Sequence, residues 1–390
     1  MRRGWLIVGT LVAALALVVG SFALAHELRT ARAPTHIAIK ATPIDSFDTR
    51  DASKTRFGQL EFRGGLALTS AFKAFGGVSA IHLRPDGAHF LSVTDNGSWL
   101  TGRIVYRGGR PAGIADAEMA PVLGSDGKPL AARHWFDTES LTRGNDGRFY
   151  VGIERVNRIV RFDLSHGGLR AHGKPIPVPA DFKTFTYNKS LECLAAPPKG
   201  APLAGGLIAV TEESLDAAGN LRSYVLAGKR VTRFTVKRSH AFDVSDCTVL
   251  PRGDLLVLER RYSPLSGVAV RIRRLHLADI KQGAVIDGPV IFEADLADQI
   301  DNMEGIAVSR NAKGETIITL VSDDNFAAIE RNLLLQFTLE NLAWFERSHN
   351  PLHFLSTGVL STLGACMIVG GFMMRFRTIG VAVISVGRVN

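Results

Sequence analysis

Five segments of the 390-residue chain repeat one pattern, in which an acidic residue, replaced by Ser79 in the first, opens a short strand and another acidic residue closes the next. The segments run from Val78-Ser79-Ala80-Ile81 to Thr94-Asp95-Asn96, and from Thr138-Glu139-Ser140-Leu141 to Ile153-Glu154-Arg155. The third runs from Leu191-Glu192-Cys193-Leu194 to Thr211-Glu212-Glu213, and the fourth from Ser245-Asp246-Cys247-Thr248 to Leu258-Glu259-Arg260. The fifth runs from Met303-Glu304-Gly305-Ile306 to Ser322-Asp323-Asp324. Successive units begin roughly 50 to 60 residues apart, the period of propeller blades.

Each unit reads as strand, turn, strand. Pro85-Asp86-Gly87, Asn145-Asp146-Gly147, Arg252-Gly253-Asp254 and Ala312-Lys313-Gly314 supply the positive φ that a tight hairpin needs. The return strands, such as Leu255-Leu256-Val257-Leu258, are continuous apolar runs, as strands buried on both faces are. The fold expected is therefore all-β: a β-propeller over residues 42–340, with no low-complexity linker to divide it. Residues 42–72 and the strand Leu333–Leu339 lie outside the five hairpins, and together they predict a sixth blade.

A hairpin returns to where it began, so the two ends of each unit, and the acidic residues they carry, fall on one rim. That places Asp95, Glu139, Glu154, Glu192, Glu212, Asp246, Glu259, Glu304 and Asp323 around one mouth of the central channel. Crowded carboxylates repel unless cations or basic side chains neutralise them. Two neutralising arrangements are open. Several carboxylates suit calcium, which takes six to eight oxygen ligands. Alternatively Arg155, Lys189, Arg260 and Arg261 pair with them or bind an anionic ligand. The same charges also serve a purely structural role if they only lock neighbouring blades together.

These motifs resemble the bacterial phytase-like family described by an esterase-like activity. The likeness is carried by Phe75-Gly76-Gly77-Val78-Ser79, Asp95-Asn96-Gly97, Asp137-Thr138-Glu139-Ser140-Leu141 and Asn188-Lys189-Ser190-Leu191-Glu192. It continues through Leu258-Glu259-Arg260-Arg261-Tyr262-Ser263, Asp301-Asn302-Met303-Glu304-Gly305 and Ser322-Asp323-Asp324-Asn325-Phe326, with Ser190 and Met303 departing from the residues usual there. The resemblance implies hydrolysis of phosphate or carboxylic esters on a propeller, with calcium by analogy to alkaline phytases. Calcium at the mouth would polarise the ester, Glu139 or Glu259 would orient water, and Arg260 or Lys189 would stabilise developing negative charge. Two alternatives are a calcium-dependent lactonase-like propeller and a non-catalytic envelope propeller that binds a ligand or a protein.

Other chemistries lack their signatures. There is no Gly-x-Ser-x-Gly elbow, His-Glu-x-x-His, Cys-x-x-Cys or Walker A loop, and the histidines do not recur at one repeat position. The net charge of +9 is spread along strands, where Arg271, Arg273 and Arg274 alternate with apolar residues, so nucleic acid is not an expected partner. A small-molecule ester or other anionic ligand is.

The chain begins with Arg2-Arg3, an apolar run from Trp5 to Phe22 and Ala23-Leu24-Ala25, the layout of a secretory signal peptide over residues 1–25, or of an uncleaved anchor. Export to the periplasm or beyond is expected, with residues 26–41 as a linker. Of the three cysteines, Cys193 and Cys247 hold matching positions in neighbouring units. Matching positions on adjacent blades are expected to lie too far apart to bond, which leaves buried thiols. In the tail, 341–390, the stretch 352–374 carries no Lys, Arg, Asp or Glu and is followed by Arg375 and Arg377. It is a candidate transmembrane helix and membrane anchor; a helix packed on the propeller and a tail from an altered reading frame are the alternatives.

Overall fold

The computed structural model describes residues 31–340 apart from 264–266. The expected signal peptide and the candidate helix at 352–374 lie outside those residues. Among the described residues, no helix is long and apolar enough to cross a membrane.

The chain enters through four outer strands: β1 (Thr35–His36), β2 (Lys40–Ile44), β3 (Arg56–Phe57) and β4 (Leu60–Thr69). Residues expected to be linker thus supply β1 and the start of β2. Blade I holds β5 (Val78–Leu83), β6 (His89–Thr94), β7 (Ser98–Arg107) and β8 (Arg110–Pro121), with β1 on its outer edge. Blade II holds β9 (Thr138–Arg143), β10 (Phe149–Ile153), β11 (Arg158–Phe162) and β12 (Lys174–Pro175). Blade III holds β13 (Cys193–Ala195), β14 (Leu207–Leu215), β15 (Leu221–Ala227), β16 (Arg230–Val236) and, parallel to β16, β20 (Val285–Ile286). Blade IV holds β17 (Asp243–Val249), β18 (Asp254–Ser263), β19 (Gly267–His276) and β21 (Val290–Ala294). Blade V holds β22 (Asn302–Arg310), β23 (Thr316–Asp323) and β24 (Asn332–Leu339), then β4 and β2.

The first strands β5, β9, β13, β17 and β22 are neighbours in a closed ring around the axis. The propeller therefore has five blades, and the expected sixth does not exist. The strands set aside for it complete blade V: β24 pairs antiparallel with β4, Leu334 opposite Leu66 and Leu335 opposite Gly65. A hairpin supplies only the two inner strands of a blade, and blade V takes its outer strands from the N-terminal segment. Both ends of the domain meet in one sheet, which closes the ring without a covalent bond.

One apolar layer fills each of the five junctions. Leu100 and Ile104 face Val321 and Leu334 between blades I and V, while Trp99 and Val93 meet Val160 and Phe162 between blades I and II. Leu194 and Tyr224 pack with Ile159 between II and III, Val210 and Phe234 with Val257 between III and IV, and Leu258 and Ile272 with Ile306 and Phe337 between IV and V. These layers account for the apolar strands seen in the sequence, since each buried strand presents side chains to two neighbouring blades.

The first strands approach one another closely at the axis. A Cβ on Gly305 of β22 would stand 3.2 Å from Ala80 Cα of β5, and one on Gly152 would stand 3.1 Å from the Leu191 carbonyl oxygen. The same crowding brings Cys193 and Cys247 to a Cα separation of 5.1 Å, and they form a disulfide between blades III and IV. The buried thiols expected from sequence are not there. Matching positions are far apart at blade rims, but at the axis they converge into bonding range.

Candidate functional site at the acidic mouth

Bulges in the first strands aim the acidic residues. In blade II, Ile153 pairs with Thr138 and Gly152 with Ser140, so Glu139 is the extra, unpaired residue. In blade V, Met303 pairs with Ser322 and Gly305 with Val321, which leaves Glu304 extra. An extra residue leaves the ladder and turns its side chain out of the strand's alternation, here toward the axis. Blade I carries Ser79 at the matching position.

Two groups of carboxylates form, one of Asp137, Glu139 and Glu154 and one of Glu154, Glu192 and Glu212. Within each group, one oxygen per residue lies within 4.8 Å of the others, and Glu154 belongs to both. Glu154 is placed from both sides: its Oε1 accepts the Ser190 N–H at 2.7 Å, and its own N–H donates to the Asp137 carbonyl at 3.0 Å. Asp137 is a member that counting hairpin ends overlooked, because it precedes the strand. It adopts a left-handed φ of 57° and donates its N–H to the Asp95 carbonyl, 2.6 Å away. Asp tolerates that conformation better than most residues, and the Asp137-Thr138-Glu139 sequence was the available signal.

Burial dominates the electrostatics. It raises Glu154 to about 7, against the Ser190 N–H that favours the charged form, and raises Glu212 to about 7. Burial lifts Asp137 only to about 6, because Arg155 opposes it. Glu139 and Glu192 stand well above the usual carboxylate range, first from burial and then from neighbouring carboxylates. Glu139 keeps part of its surface open while protein surrounds it, as a side chain lining a narrow channel does. Glu154 and Glu192 bring one carboxylate oxygen each to within 4.8 Å of the other, so their titrations are linked.

A further acidic group adjoins the first through Asp137. Burial, then the nearby Asp137 charge, raises Asp95 to about 8, and Asp323 is pushed well above its usual range by burial and by Asp95. Gly77 admits this packing: its φ is 65°, and a Cβ there would stand 2.0 Å from Asp95 Oδ1. Its N–H donates to Asp324 Oδ1 at 3.0 Å, so Asp324 joins blades V and I.

Three basic residues serve the mouth. Arg260 is the innermost, paired with Glu304 and, at 3.3 Å, with Glu212, so that it links blades III and V. Burial works against its charge, but those carboxylates hold it protonated. Arg155 pairs with Asp137, donates to Asn188 Oδ1 at 3.0 Å and lies 4.6 Å from the Phe136 ring centre. Lys189 stands at the rim with 45% of its side chain exposed, paired with Glu213 at 2.5 Å. Glu213 in turn accepts from Arg238 at 3.3 Å.

Two expected members do not join. Glu259 is fully buried in its own blade, where Arg271 Nε lies 2.6 Å and Arg273 Nε 2.8 Å from its Oε2. With both oxygens engaged by guanidinium groups, it neither orients water nor holds a metal. In blade IV the extra residue is Ser245, one position earlier than in blades II and V, so Asp246 stays in the ladder opposite Leu258. Its Oδ2 accepts the Ile306 N–H at 2.8 Å, clasping blade IV to blade V.

The remaining donors fit calcium. All are oxygens, and Asp95 Oδ1 and Glu304 Oε2 are buried without a hydrogen-bond partner. Among the described residues, Asp95, Asp137, Glu139, Glu154, Glu192, Glu212, Glu304 and Asp323 face only Arg155 and Arg260 as enclosed basic partners, an imbalance that a divalent cation relieves.

A family profile described as "Phytase-like: Esterase-like activity of phytase" matches residues 73–326, well over half the chain and every carboxylate of the mouth. Virginiamycin B lyase from Staphylococcus aureus is similar at 12% identity and a TM-score of 0.35, covering 78% of this chain and 100% of its own. The Dos1 propeller is similar at 11% identity and a TM-score of 0.33, covering 72% of this chain and 75% of its own. No curated protein sequence matches the chain.

Proposed function

This chain belongs to the phytase-like family described by an esterase-like activity of phytase, and from that premise we infer an exported, calcium-dependent hydrolase of phosphate or carboxylic esters. The observation that carries the reading is Glu154, shared by two three-carboxylate groups at the mouth of the channel. Asp137, Glu154, Glu192 and Glu212 would hold the cation. When bound, calcium supplies a Lewis acid that polarises the ester oxygen.

The chain's own residues supply the rest. Glu139, partly open to the channel, orients a water and takes its proton. Lys189 at the rim and Arg155 beside Phe136 receive the anionic part of the substrate, in exchange for Glu213 and Asp137. Arg260 fixes Glu304 and Glu212 and lies close enough to offset negative charge that develops on the ester. Export is supported by Arg2-Arg3 with the apolar run behind it, and by the disulfide, since such bonds persist in oxidising compartments.

The test is hydrolysis of 4-nitrophenyl phosphate, 4-nitrophenyl acetate and a γ-lactone by the purified protein, with calcium and with chelator. Calcium-dependent turnover that is lost in Glu139→Gln and Arg260→Met supports the reading. Turnover of the lactone alone would favour a lactonase. No turnover of any of the three, with calcium bound, would leave a binding propeller.

A further inference from the structure

On the face opposite the mouth, a cavity of about 410 Å³ opens at the seam where blades I and V meet. It lies between the β5–β6 turn at Asp86 and Gly87, the β7–β8 turn at Gly108 and Gly109, and the β22–β23 turn from Asn311 to Glu315. The volume is within the range of small-molecule pockets.

Its polar groups are unevenly satisfied. Gln336 on the floor is fully buried, and its amide orientation is set by its neighbours. The Tyr106 hydroxyl donates to the Gly87 carbonyl at 2.7 Å, so it accepts from Gln336 Nε2, 2.9 Å away. Nε2 gives its other hydrogen to Thr319 Oγ1 at 3.1 Å. Gln336 Oε1 is left without a partner, as is the buried Arg63 Nε. Buried polar atoms are rarely left unpaired.

The charges are uneven too. The two carboxylates are already engaged. Asp86 accepts from the Ala88 and His89 N–H groups and contacts His89 Nδ1 at 2.7 Å, while Glu315 is held by Asn311 and by Arg63 at 3.5 Å. Arg310 and Lys313, also at the cavity, form no ion pair with any described residue. The site thus offers two uncommitted cations above and an unpaired acceptor below, beside the Tyr106 ring.

We propose that this seam cavity is a second ligand site, which takes a small organic anion that also carries hydroxyl or amino donors. The anion meets Arg310 and Lys313, and the donor satisfies the floor at Gln336.

Calorimetric titration of the full-length protein in chelator, with gluconate and malate as probes and sorbitol as the neutral counterpart of gluconate, tests this. Saturable binding of at least one acid is expected, with sorbitol weaker by roughly ten-fold or more. An Arg310→Ala/Lys313→Ala variant, altered only at exposed side chains, loses that binding, whereas Glu154→Gln at the mouth retains it. The proposal is overturned if neither acid binds, if sorbitol binds as well as gluconate, or if the double variant binds like the parent.

Discussion

Cys193 of β13 and Cys247 of β17 are joined by a disulfide that fastens the first strand of blade III to that of blade IV, with their Cα atoms 5.1 Å apart. They are 54 residues apart in sequence, and closing a loop of that length removes enough unfolded-chain entropy to contribute about 4 kcal/mol. Cys193→Ala/Cys247→Ala should shift the urea midpoint down while the folded protein keeps its calcium affinity. An unchanged midpoint would mean that the ring closure alone holds these blades.

Glu259→Gln should destabilise the domain by about 3–5 kcal/mol, because it leaves Arg271 and Arg273 buried with a neutral partner. Calcium affinity and turnover per folded molecule should stay unchanged. A variant with normal unfolding but no activity would return Glu259 to the catalytic group.

Glu154→Gln and Asp246→Asn should behave oppositely. The first removes the carboxylate common to both three-carboxylate groups and should lower calcium affinity at least roughly ten-fold. Burial pushes Asp246 well above the usual carboxylate range, and asparagine keeps an acceptor for the Ile306 N–H. Calcium titration of both variants checks this, and equal losses would contradict the division between mouth and clasp.

Calcium removal should make stability pH-dependent in a definite direction. Asp137 at about 6, Glu154 and Glu212 at about 7, and Asp95 at about 8 all lie above their unfolded values. The native state therefore binds more protons than the unfolded chain between about pH 4 and 8, and linkage makes stability fall as pH rises through that window. Melting in chelator should drop from pH 5 to pH 8, and added calcium should restore more at pH 8. Melting in chelator that rises toward pH 8 would exclude a buried, uncompensated acidic mouth.

The repeated hairpin could be read from the chain because its signals are local. Repeated acidic positions, Gly-containing turns and apolar return strands each span a few residues, and together they locate the inner strands of all five blades. Blade number was not local. The pairing of β24 with β4 joins opposite ends of the domain, and nothing near Leu66 or Leu334 states that they share a sheet.

Much the same division runs through the site. The spacing of acidic residues along the chain was enough to crowd carboxylates onto one rim, and Glu139, Glu154, Glu192, Glu212 and Glu304 gather there. Which of their neighbours take part depends on the folded ring. A strand has a period of two, so moving the extra residue from the position of Glu139 and Glu304 to Ser245 redirects Asp246 from the channel to a blade junction. Arg271 and Arg273, on the adjacent strand of blade IV, likewise draw Glu259 into that blade. Side-chain direction at a bulge depends on the blades packed on either side, and that packing exists only once the ring has closed.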